Sequence, residues 1–345
     1  MPEQSSSSEP PVTTLAAGDA AATGPSVQQV AEPRRGRSIP ELAALILFLA
    51  GEVVFFWIKS PFFMNWDNWL NIFTAVAVTG IIAAPATLLL IAGQFDLSVG
   101  SGTAICGVIM AYTVTELGWA EPVAVLLVVL AGLGIGIING FFVTVVGVNA
   151  LITTLGMLAV LRGLGKVISD GQTIILNGFD GIGTSRPFFN IPTPVLILLG
   201  IVAVFWFVMR YTVYGRSMYA IGANPVAARL TGIRSKRMIF TGFVLSGLCV
   251  ALAGLILVSQ LGASSPIAAT GLELSVVTAV ILGGASLAGG RGTILGTALG
   301  LLIIGVLNNG LILLNVDPFW QEVAQGTLLI AAVSFDQLRI RLTAQ

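Results

Sequence analysis

Long apolar segments follow one another from residue 41 to residue 338, and charged residues seldom interrupt them. Apolar residues make up 56% of the 345 residues and charged residues 9%, against about 25% charged residues in an ordinary soluble domain. Such a chain has too little polar surface to cover a globule in water. The composition therefore excludes an ordinary soluble enzyme and predicts an all-α integral membrane protein embedded in a lipid bilayer.

About ten membrane spans fit the chain between residues 39 and 341, which we predict to form one transmembrane domain. A spanning helix needs about 20 apolar residues. The third segment is short and rich in glycine, so it is either a full span or a broken, re-entrant helix. The predicted spans are 41–59, 69–92, 97–115, 122–145, 149–168, 193–210, 237–259, 272–288, 294–314 and 321–338.

The distribution of Lys and Arg predicts that both termini are cytoplasmic. With the N-terminus inside, twelve of the 16 basic residues lie on the cytoplasmic side and four on the outer side. An odd number of spans would move Arg339 and Arg341 outside. The cytoplasmic residues are Arg34, Arg35, Arg37, Arg210, Arg216, Arg229, Arg234, Lys236, Arg237, Arg291, Arg339 and Arg341, and the outer ones are Lys59, Arg162, Lys166 and Arg186.

Residues 1–38 differ from the rest of the chain, because they are rich in Ser, Pro, Ala and Gln and lack aromatic residues. This composition predicts a disordered cytoplasmic tail. Arg34, Arg35 and Arg37 stand directly before the first apolar segment, which favours an uncleaved first span over a signal peptide.

Several kinds of chemistry are missing from the sequence. It contains no His, which removes His general bases and most zinc sites. Cys106 and Cys249 lie in apolar segments without metal-ligand spacing, and the formal charge of zero does not suit a nucleic-acid binder. No phosphate-binding loop of the GxxxxGK[ST] type occurs. We expect no catalytic site, no metal site and no cofactor of the chain's own.

The connection 211–236 is the longest on the predicted cytoplasmic side. Asn224 suits a helix N-cap, Pro225 the first helical position and Gly232 the end of a short helix. Val226 and Leu230, spaced i, i+4, would share one face. From the residues alone, this helix either rests on lipid headgroups or docks into a soluble partner.

Two short segments resemble each other. The sequence DLSV at 96–99 has its counterpart in ELSV at 273–276, and each begins a predicted span. Because these two spans start on opposite sides, the match suggests an inverted repeat of spans two to five and seven to ten. Asp96 suits an N-cap of the third span, with a direct role in gating as the alternative, and Thr270 with Glu273 fits a capping box.

Small residues recur at four-residue spacing in two places, which predicts close approach of helix backbones in lipid. The two ridges are Gly132, Gly136 and Gly140, and Gly292, Gly296 and Gly300. The glycine-rich segment 283–292 is predicted as a flexible connection between two helices. It lacks the context of a serine nucleophile.

Polar residues inside spans either line a path for a polar solute or bond to neighbouring helices. The scarcity of buried cations favours an uncharged solute, and the lack of an ionisable relay argues against proton coupling. The candidates for a gate or translocation path are Asp96, Ser98, Asn149, Thr153, Asn308 and Asn309. Asn139 and Thr154 share this character.

Taken in order, the motifs of residues 60–338 resemble those of the membrane permease subunit of ribose-type ABC importers, within a wider group that includes branched-chain amino acid permeases. The matching motifs are FDLSVGS at 95–101, ITTLG at 152–156, LRG at 161–163, YGR at 214–216, AIGANP at 220–225, AAR at 227–229, TGI at 231–233, LGGAS at 282–286, GGRG at 289–292, LNNG at 307–310 and PFWQ at 318–321.

The resemblance implies a permease in the bacterial inner membrane that imports a monosaccharide. Its implied partners are a second permease copy, an extracytoplasmic sugar-binding protein and a cytoplasmic ABC ATPase that binds ATP and Mg²⁺. Branched-chain amino acid import is the near alternative, and ion-coupled transport or intramembrane hydrolysis is a distant one. The implied coupling residues are Gly215, Arg216, Asn224, Pro225, Ala228, Arg229 and Gly232.

Overall fold

The computed structural model describes residues 41–343, with side chains from residue 42 to residue 334. The predicted tail, 1–38, lies outside the described residues, so its disorder stays a prediction. The helices are α1 (Glu41–Lys59), α2 (Trp66–Ile91), α3 (Val99–Thr115), α4 (Glu121–Phe141) with a π-helical end (Phe142–Val146), α5 (Ala150–Ser169), α6 (Gly181–Thr184), α7 (Thr193–Tyr211), α8 (Val213–Ala223), α9 (Pro225–Leu230), α10 (Ser235–Leu261), α11 (Leu272–Leu282), α12 (Ile294–Leu313) and α13 (Pro318–Thr343). Strands β1 (Ile174–Ile175) and β2 (Ala263–Ser264) pair antiparallel.

Among the described residues, seven helices are long and apolar enough to cross a membrane: α1, α2, α4 with its π-helical end, α5, α7, α10 and α12. The prediction of an all-α membrane protein is thereby confirmed. Helices α3 and α11 are apolar but have only 17 and 11 residues, and α13 occupies the place of the tenth predicted span. The count of ten spans and the orientation of the termini stay predictions.

The eighth predicted span, 272–288, is shorter in the structure, because α11 ends at Leu282. Gly283 and Gly284 follow, and Gly284 has a φ of 88°, which a right-handed helix does not allow. At 1.5 Å per residue, α3 and α11 are about 26 Å and 17 Å long, less than the roughly 30 Å of a hydrocarbon core. Helix α11 therefore covers only part of this thickness, and α3 lies at the lower limit for a spanning helix.

The contacts between helices repeat in two groups, α2–α5 and α10–α13. Helix α10 packs on α3 and α4, and α2 packs correspondingly on α11 and α12. Contacts of α3 with α4 and α5 have their counterparts in those of α11 with α12 and α13, while α2 meets α10 and α3 meets α11. This pattern is the one expected for the predicted repeat of spans two to five and seven to ten.

Individual residues follow the same pattern. Gly132 of α4 lies against Gly247 and Ala251 of α10, and Gly305 of α12 lies against two apolar residues of α2, Ile72 and Val76. In both contacts a glycine of one helix faces two residues that are one turn apart on the other. The two contacts are therefore similar, as the predicted repeat requires, and the repeat itself stays a prediction.

Helices α2 and α10 form the centre, because each contains a largely buried apolar segment and, besides each other, they contact most of the remaining helices. Helices α1 and α5 lie at the periphery, with most of their apolar side chains exposed. In a bilayer, such apolar surface is covered by lipid tails or by another chain.

The first predicted glycine ridge brings α4 and α10 into backbone contact. A Cβ atom on Gly136 would overlap the carbonyl oxygen of Phe243 and lie 2.9 Å from the Cα of Val244. One turn earlier, a Cβ on Gly132 would overlap the carbonyl oxygen of Gly247. The predicted close approach is confirmed for this ridge.

The second ridge is only partly helical. Gly296 and Gly300 of α12 pack against the backbone of Gly283 and Ala279 on α11, as expected. Gly292, however, precedes α12 and has a φ of 140°, so its placement on the helical ridge was wrong. Thr293 caps the helix after it by accepting a hydrogen bond from the Gly296 N–H.

We predict that Gly136→Ala lowers the free energy of unfolding by about 1–3 kcal/mol, the usual cost of forcing extra atoms into a packed contact. Gly134→Ala is the matched control, since a Cβ there meets nothing within 4 Å. Thermal melting of the detergent-purified protein measures both. Equal melting temperatures for the two variants would contradict the tight α4–α10 contact.

Candidate functional site

A capped pair of short helices lies between α7 and α10. We call α8 and α9, residues 213–230, the α8–α9 platform. The Asn224 side chain accepts hydrogen bonds from the N–H groups of Val226 and Ala227, at 3.1 and 3.0 Å, and so caps α9. Pro225 is the first helical residue, and Gly232, with a φ of 85°, follows the helix end. The predicted helix and its caps are confirmed.

The platform presents an apolar face that its own chain does not cover. Val226 is 66% exposed and Leu230 84% exposed, and Arg229 is also exposed. Large apolar side chains on a short exposed helix are typical of docking surfaces. The face thus offers two apolar anchors beside a cation.

Two predicted coupling residues lie inside the chain and not on this face. Ala228 is buried, and a Cβ on Gly215 would overlap the carbonyl oxygen of Met209. Gly215 therefore permits the tight turn from α7 into α8. Any part that Gly215 and Ala228 take in coupling passes through packing, whereas the exposed Arg216 and Arg229 are free to contact a partner.

The platform is fastened to the C-terminal end of α2 and to the glycine-rich loop 283–292. Gly222 lies so close to the carbonyl oxygen of Ile91 that a Cβ would overlap it. That same oxygen accepts a hydrogen bond from the Gly290 N–H at 2.8 Å. The Tyr219 hydroxyl donates to the carbonyl of Gly292 at 2.8 Å. The loop predicted as a flexible connection is thus part of a packed junction.

A second tyrosine links the platform to α10. The Tyr214 hydroxyl donates to the carbonyl of Met238 at 3.0 Å and receives a hydrogen bond from Thr241. Burial raises the pKa of the Tyr214 phenol, so the hydroxyl stays protonated at neutral pH. The platform is therefore tied to α2, to α10 and to the loop before α12.

A buried polar cluster surrounds Asp96 at the start of α3. One carboxylate oxygen, Oδ1, accepts hydrogen bonds from the Ser98 N–H at 3.1 Å and from the Ser98 hydroxyl at 2.6 Å. The other, Oδ2, accepts from the Ser246 hydroxyl on α10 at 2.8 Å. Asn139 of α4 donates to Ser98 Oγ at 2.9 Å. Three helices are joined through one carboxylate and one hydroxyl.

The expectation that Asp96 is the N-cap of α3 was wrong. The N-cap position belongs to Ser98, and no side chain caps the first turn by a hydrogen bond. Asp96 is 8% exposed and Ser98 1% exposed. Because Ser246 is the twelfth residue of α10, the cluster lies about 16 Å along that helix. In this conformation both residues hold helices together, and their predicted role in gating stays a prediction.

The two similar segments meet where α3 and α11 begin. A Cβ on Gly100, in the first turn of α3, would overlap the Glu273 carboxylate of α11. The predicted capping box at Thr270 was wrong, because Gly271 is the N-cap and the Thr270 hydroxyl donates to Ile267. The first turns of the two short helices thus touch at Gly100 and Glu273.

Three polar residues at the start of α5 and within it differ in exposure and in hydrogen bonding. Asn149 is exposed and caps the helix by accepting a hydrogen bond from the Leu151 N–H at 2.9 Å. The Thr153 hydroxyl and two nitrogens of Arg162, Nε and Nη2, are buried without a hydrogen-bond partner among the described residues. The assignment of Asn149 and Thr153 to a translocation path stays a prediction.

Asn308 and Asn309 of α12 take part in two separate polar links. Asn309 and Asn68 of α2 exchange hydrogen bonds through their side-chain amides, at 2.9 and 3.0 Å. Asn308 accepts from Gln325 of α13 at 3.0 Å, and Gln325 accepts in turn from Ser275 of α11 at 3.3 Å. These links tie α12 to α2, to α13 and, through Gln325, to α11.

Sequence reasoning missed three members of these clusters: Asn68, Ser246 and Gln325. Each is a polar residue within an apolar helix, which is the available signal. Their partners, however, lie between 17 and 241 residues away along the chain. No local pattern identifies such a pairing.

A sequence profile of the family described as "Branched-chain amino acid transport system / permease component" matches residues 68–333. The chain belongs to this family of permeases. It is accordingly a multi-pass protein of the plasma membrane, in agreement with its seven long apolar helices.

Individual relatives match over most of their length. The probable ABC transporter permease protein YphD of Escherichia coli is 36% identical over 302 residues, which cover 86% of this chain and 89% of that protein. The ribose import permease protein RbsC of Escherichia coli is 38% identical over 285 residues, 80% of this chain and 88% of that protein. The L-arabinose transport system permease protein AraH of Escherichia coli is 38% identical over 298 residues, which cover 85% of this chain and 88% of that protein. No solved structure matches the chain.

The matched residues 68–333 take in the α8–α9 platform, the Asp96 cluster and both polar links of α12. The resemblance indicated by the motifs is therefore confirmed at the level of the family. The structure adds how the motifs are placed, since 220–225 and 289–292 meet at Ile91, the last residue of α2, a few residues before the motif 95–101.

We predict that Ser246→Ala lowers the free energy of unfolding by about 1.5–3 kcal/mol, because it removes a hydrogen bond to a buried carboxylate. In the Asp96→Asn background, Ser246→Ala should lower the free energy of unfolding by clearly less, because the carboxylate that accepts this hydrogen bond is already gone. Thermal melting of all four proteins gives the coupling free energy.

Ser169→Ala is the control for this cycle. The Ser169 hydroxyl is buried but donates only to Gly165 in its own helix, so its loss should be small in both backgrounds. Strict additivity of Asp96→Asn and Ser246→Ala would contradict the Asp96 cluster.

Proposed function

We propose that this chain is the membrane-spanning subunit of an ATP-binding-cassette importer and that it translocates a monosaccharide, such as ribose or a related pentose or hexose. The observation that carries the proposal is the α8–α9 platform, with Val226 and Leu230 exposed on a capped helix. The chain itself performs no bond chemistry. A separate cytoplasmic ATPase binds ATP and Mg²⁺ and supplies the free energy.

The platform suits the transmission of force. A coupling element has to be rigid and fixed to helices that line the path, because a flexible loop would absorb the movement. The hydrogen bond from Gly290 to Ile91 and those made by Tyr214 and Tyr219 meet this requirement. ATP binding would close the ATPase, move the platform and re-pack the helices in alternating access.

The solute is uncharged in this proposal. Two relatives are named for ribose and arabinose import, and the polar links at Asn308 and Asn309 are amides without charge. The family description, by contrast, names branched-chain amino acids. A zwitterionic amino acid needs charged partners for its ammonium and carboxylate groups, so sugar import is the first choice and amino acid import the second.

Three further partners follow from this assignment. An extracytoplasmic sugar-binding protein delivers the solute to the outer connections, which carry the acidic residues Glu116, Asp170, Asp180 and Asp317. A second permease, identical or paralogous, completes the path. Lipid covers the remaining apolar surface, such as that of α1.

We predict that Val226→Asp combined with Leu230→Asp leaves the fold intact and lowers the amount of bound ATPase about tenfold or more, since losing central interface anchors costs about 2 kcal/mol or more. Both side chains are exposed, so the folded chain tolerates the change. Co-purification of the ATPase and ATP-driven uptake in proteoliposomes are the measurements.

Ile267→Asp is the matched control, because Ile267 is 62% exposed but lies before α11, away from the platform. It should keep both the ATPase and the uptake. If the platform variant also keeps them, the platform rests on headgroups and the proposal loses its main support.

We further predict that the lone chain in lipid vesicles neither hydrolyses ATP nor accumulates ribose, arabinose or leucine. The complete complex with its binding protein should accumulate ribose or arabinose when ATP is present. Uphill accumulation by the lone chain would overturn ATP-driven coupling. If the complex takes up leucine but no sugar, the solute is an amino acid and not a monosaccharide.

A further inference from the structure

One face of α2 is polar where a membrane-spanning helix would ordinarily be apolar. Asn71, Ala75 and Thr79 follow one another at four-residue spacing and line a cavity of about 250 Å³. Asn308 and Asn309 of α12 line the same cavity. No Lys, Arg, Asp or Glu is among its lining residues.

The polar groups in this cavity differ in whether they are already bonded. Asn309 is engaged with Asn68, which fixes the wall between α2 and α12. Asn308 uses only its oxygen, which accepts from Gln325, and its amide N–H groups donate to no described residue. Asn71 and Thr79 likewise have no side-chain hydrogen bond within residues 42–334. Three side chains are thus free to bond to something inside the cavity.

A second cavity of about 420 Å³ continues the first, because Asn71 and Ala75 line both. Its other lining residues include Thr184, which ends α6, Gln260 at the C-terminal end of α10, and one charged residue, the exposed Arg186. From Asn71 to Thr79 the distance along α2 is about 12 Å. The two cavities form one groove, which we call the α2 groove, running from the connection around α6 to Thr79.

We propose that the α2 groove is a binding site for a small neutral polyhydroxyl solute inside each subunit, with Asn71, Thr79 and Asn308 as its hydrogen-bonding residues. This inference rests on the proposed function and adds a site to it. Amides and a hydroxyl both donate and accept, which matches sugar hydroxyl groups. The inner cavity, at about 250 Å³, lies just below the usual range of about 300–1,000 Å³ for ligand pockets, which suits a small solute.

Cysteine labelling distinguishes a water-filled groove from a face that contacts lipid. The native thiols give little background, since Cys106 and Cys249 are buried. We expect a membrane-impermeant, charged thiol reagent to modify Asn71→Cys, Thr79→Cys and Asn308→Cys about tenfold or more faster than Ala77→Cys. Ala77 lies on the buried side of α2 and is the matched control.

Protection identifies the ligand class. Free ribose or arabinose at saturating concentration should slow the labelling of Thr79→Cys and Asn308→Cys, whereas leucine should not. If all three positions react as slowly as Ala77→Cys, the groove faces lipid and the inference is overturned. If they react rapidly but no sugar protects them, the groove holds water alone and the binding site is likewise overturned.

Uptake by the complete complex separates this inference from the proposed function. Thr79→Val and Asn308→Ala should each lower sugar uptake about five- to tenfold, which is the effect of one lost hydrogen bond, with unchanged amounts of bound ATPase. Thr103→Val is the control, because the buried Thr103 hydroxyl donates to Val99 in its own helix. If the wild-type complex imports sugar and the variants import it equally well, the binding site in the groove is overturned but the proposed function stands. If the wild-type complex imports no sugar, the proposed function itself is overturned.

Discussion

The carboxylate of Asp96 is the interaction on which the centre of the helix assembly depends. A carboxyl group away from water is costly unless it is hydrogen-bonded. Here Ser98 and Ser246 supply three hydrogen bonds, and Asn139 completes the cluster through Ser98. The cluster fixes where α3 begins, and Gly100 then leaves room for Glu273 at the start of α11. The two short apolar helices, α3 and α11, thereby meet at their first turns.

Helix α2 connects the two functional regions of the molecule. Near its N-terminal end it carries Asn71 and Thr79, and at its C-terminal end Ile91 contacts Gly222 of the platform and Gly290. In the proposed mechanism, movement of the platform would reach the polar face of α2 along a single helix. Pro85 lies between the two regions, and proline in a helix interior removes a backbone hydrogen bond and permits bending. The helix to which the proposal assigns this transmission thus contains a proline at which it can bend.

The local features of the platform were predictable, because the interactions that create them span only a few residues. Asn224 caps the helix that follows it, and Gly232 ends the platform with a left-handed backbone. The close approach at Gly136 followed from spacing alone as well. The errors arose where competing local interpretations existed. Asp96 and Thr270 both had the composition of caps, but their oxygen atoms bond elsewhere, to Ser246 and Ile267.

By itself, the sequence determined that the chain is a helical membrane protein and where its long apolar helices lie, because hydropathy and capping act over one helix at a time. The motifs and their order along the chain also indicated the family to which the protein belongs. Only the tertiary structure decided which polar residues are satisfied and which face open space. Asn308 and Asn309 are neighbours with the same side chain, yet Asn309 is locked to Asn68 while Asn308 keeps free donors toward a cavity. That difference depends on partners from distant helices, whose positions result from packing and not from any local pattern.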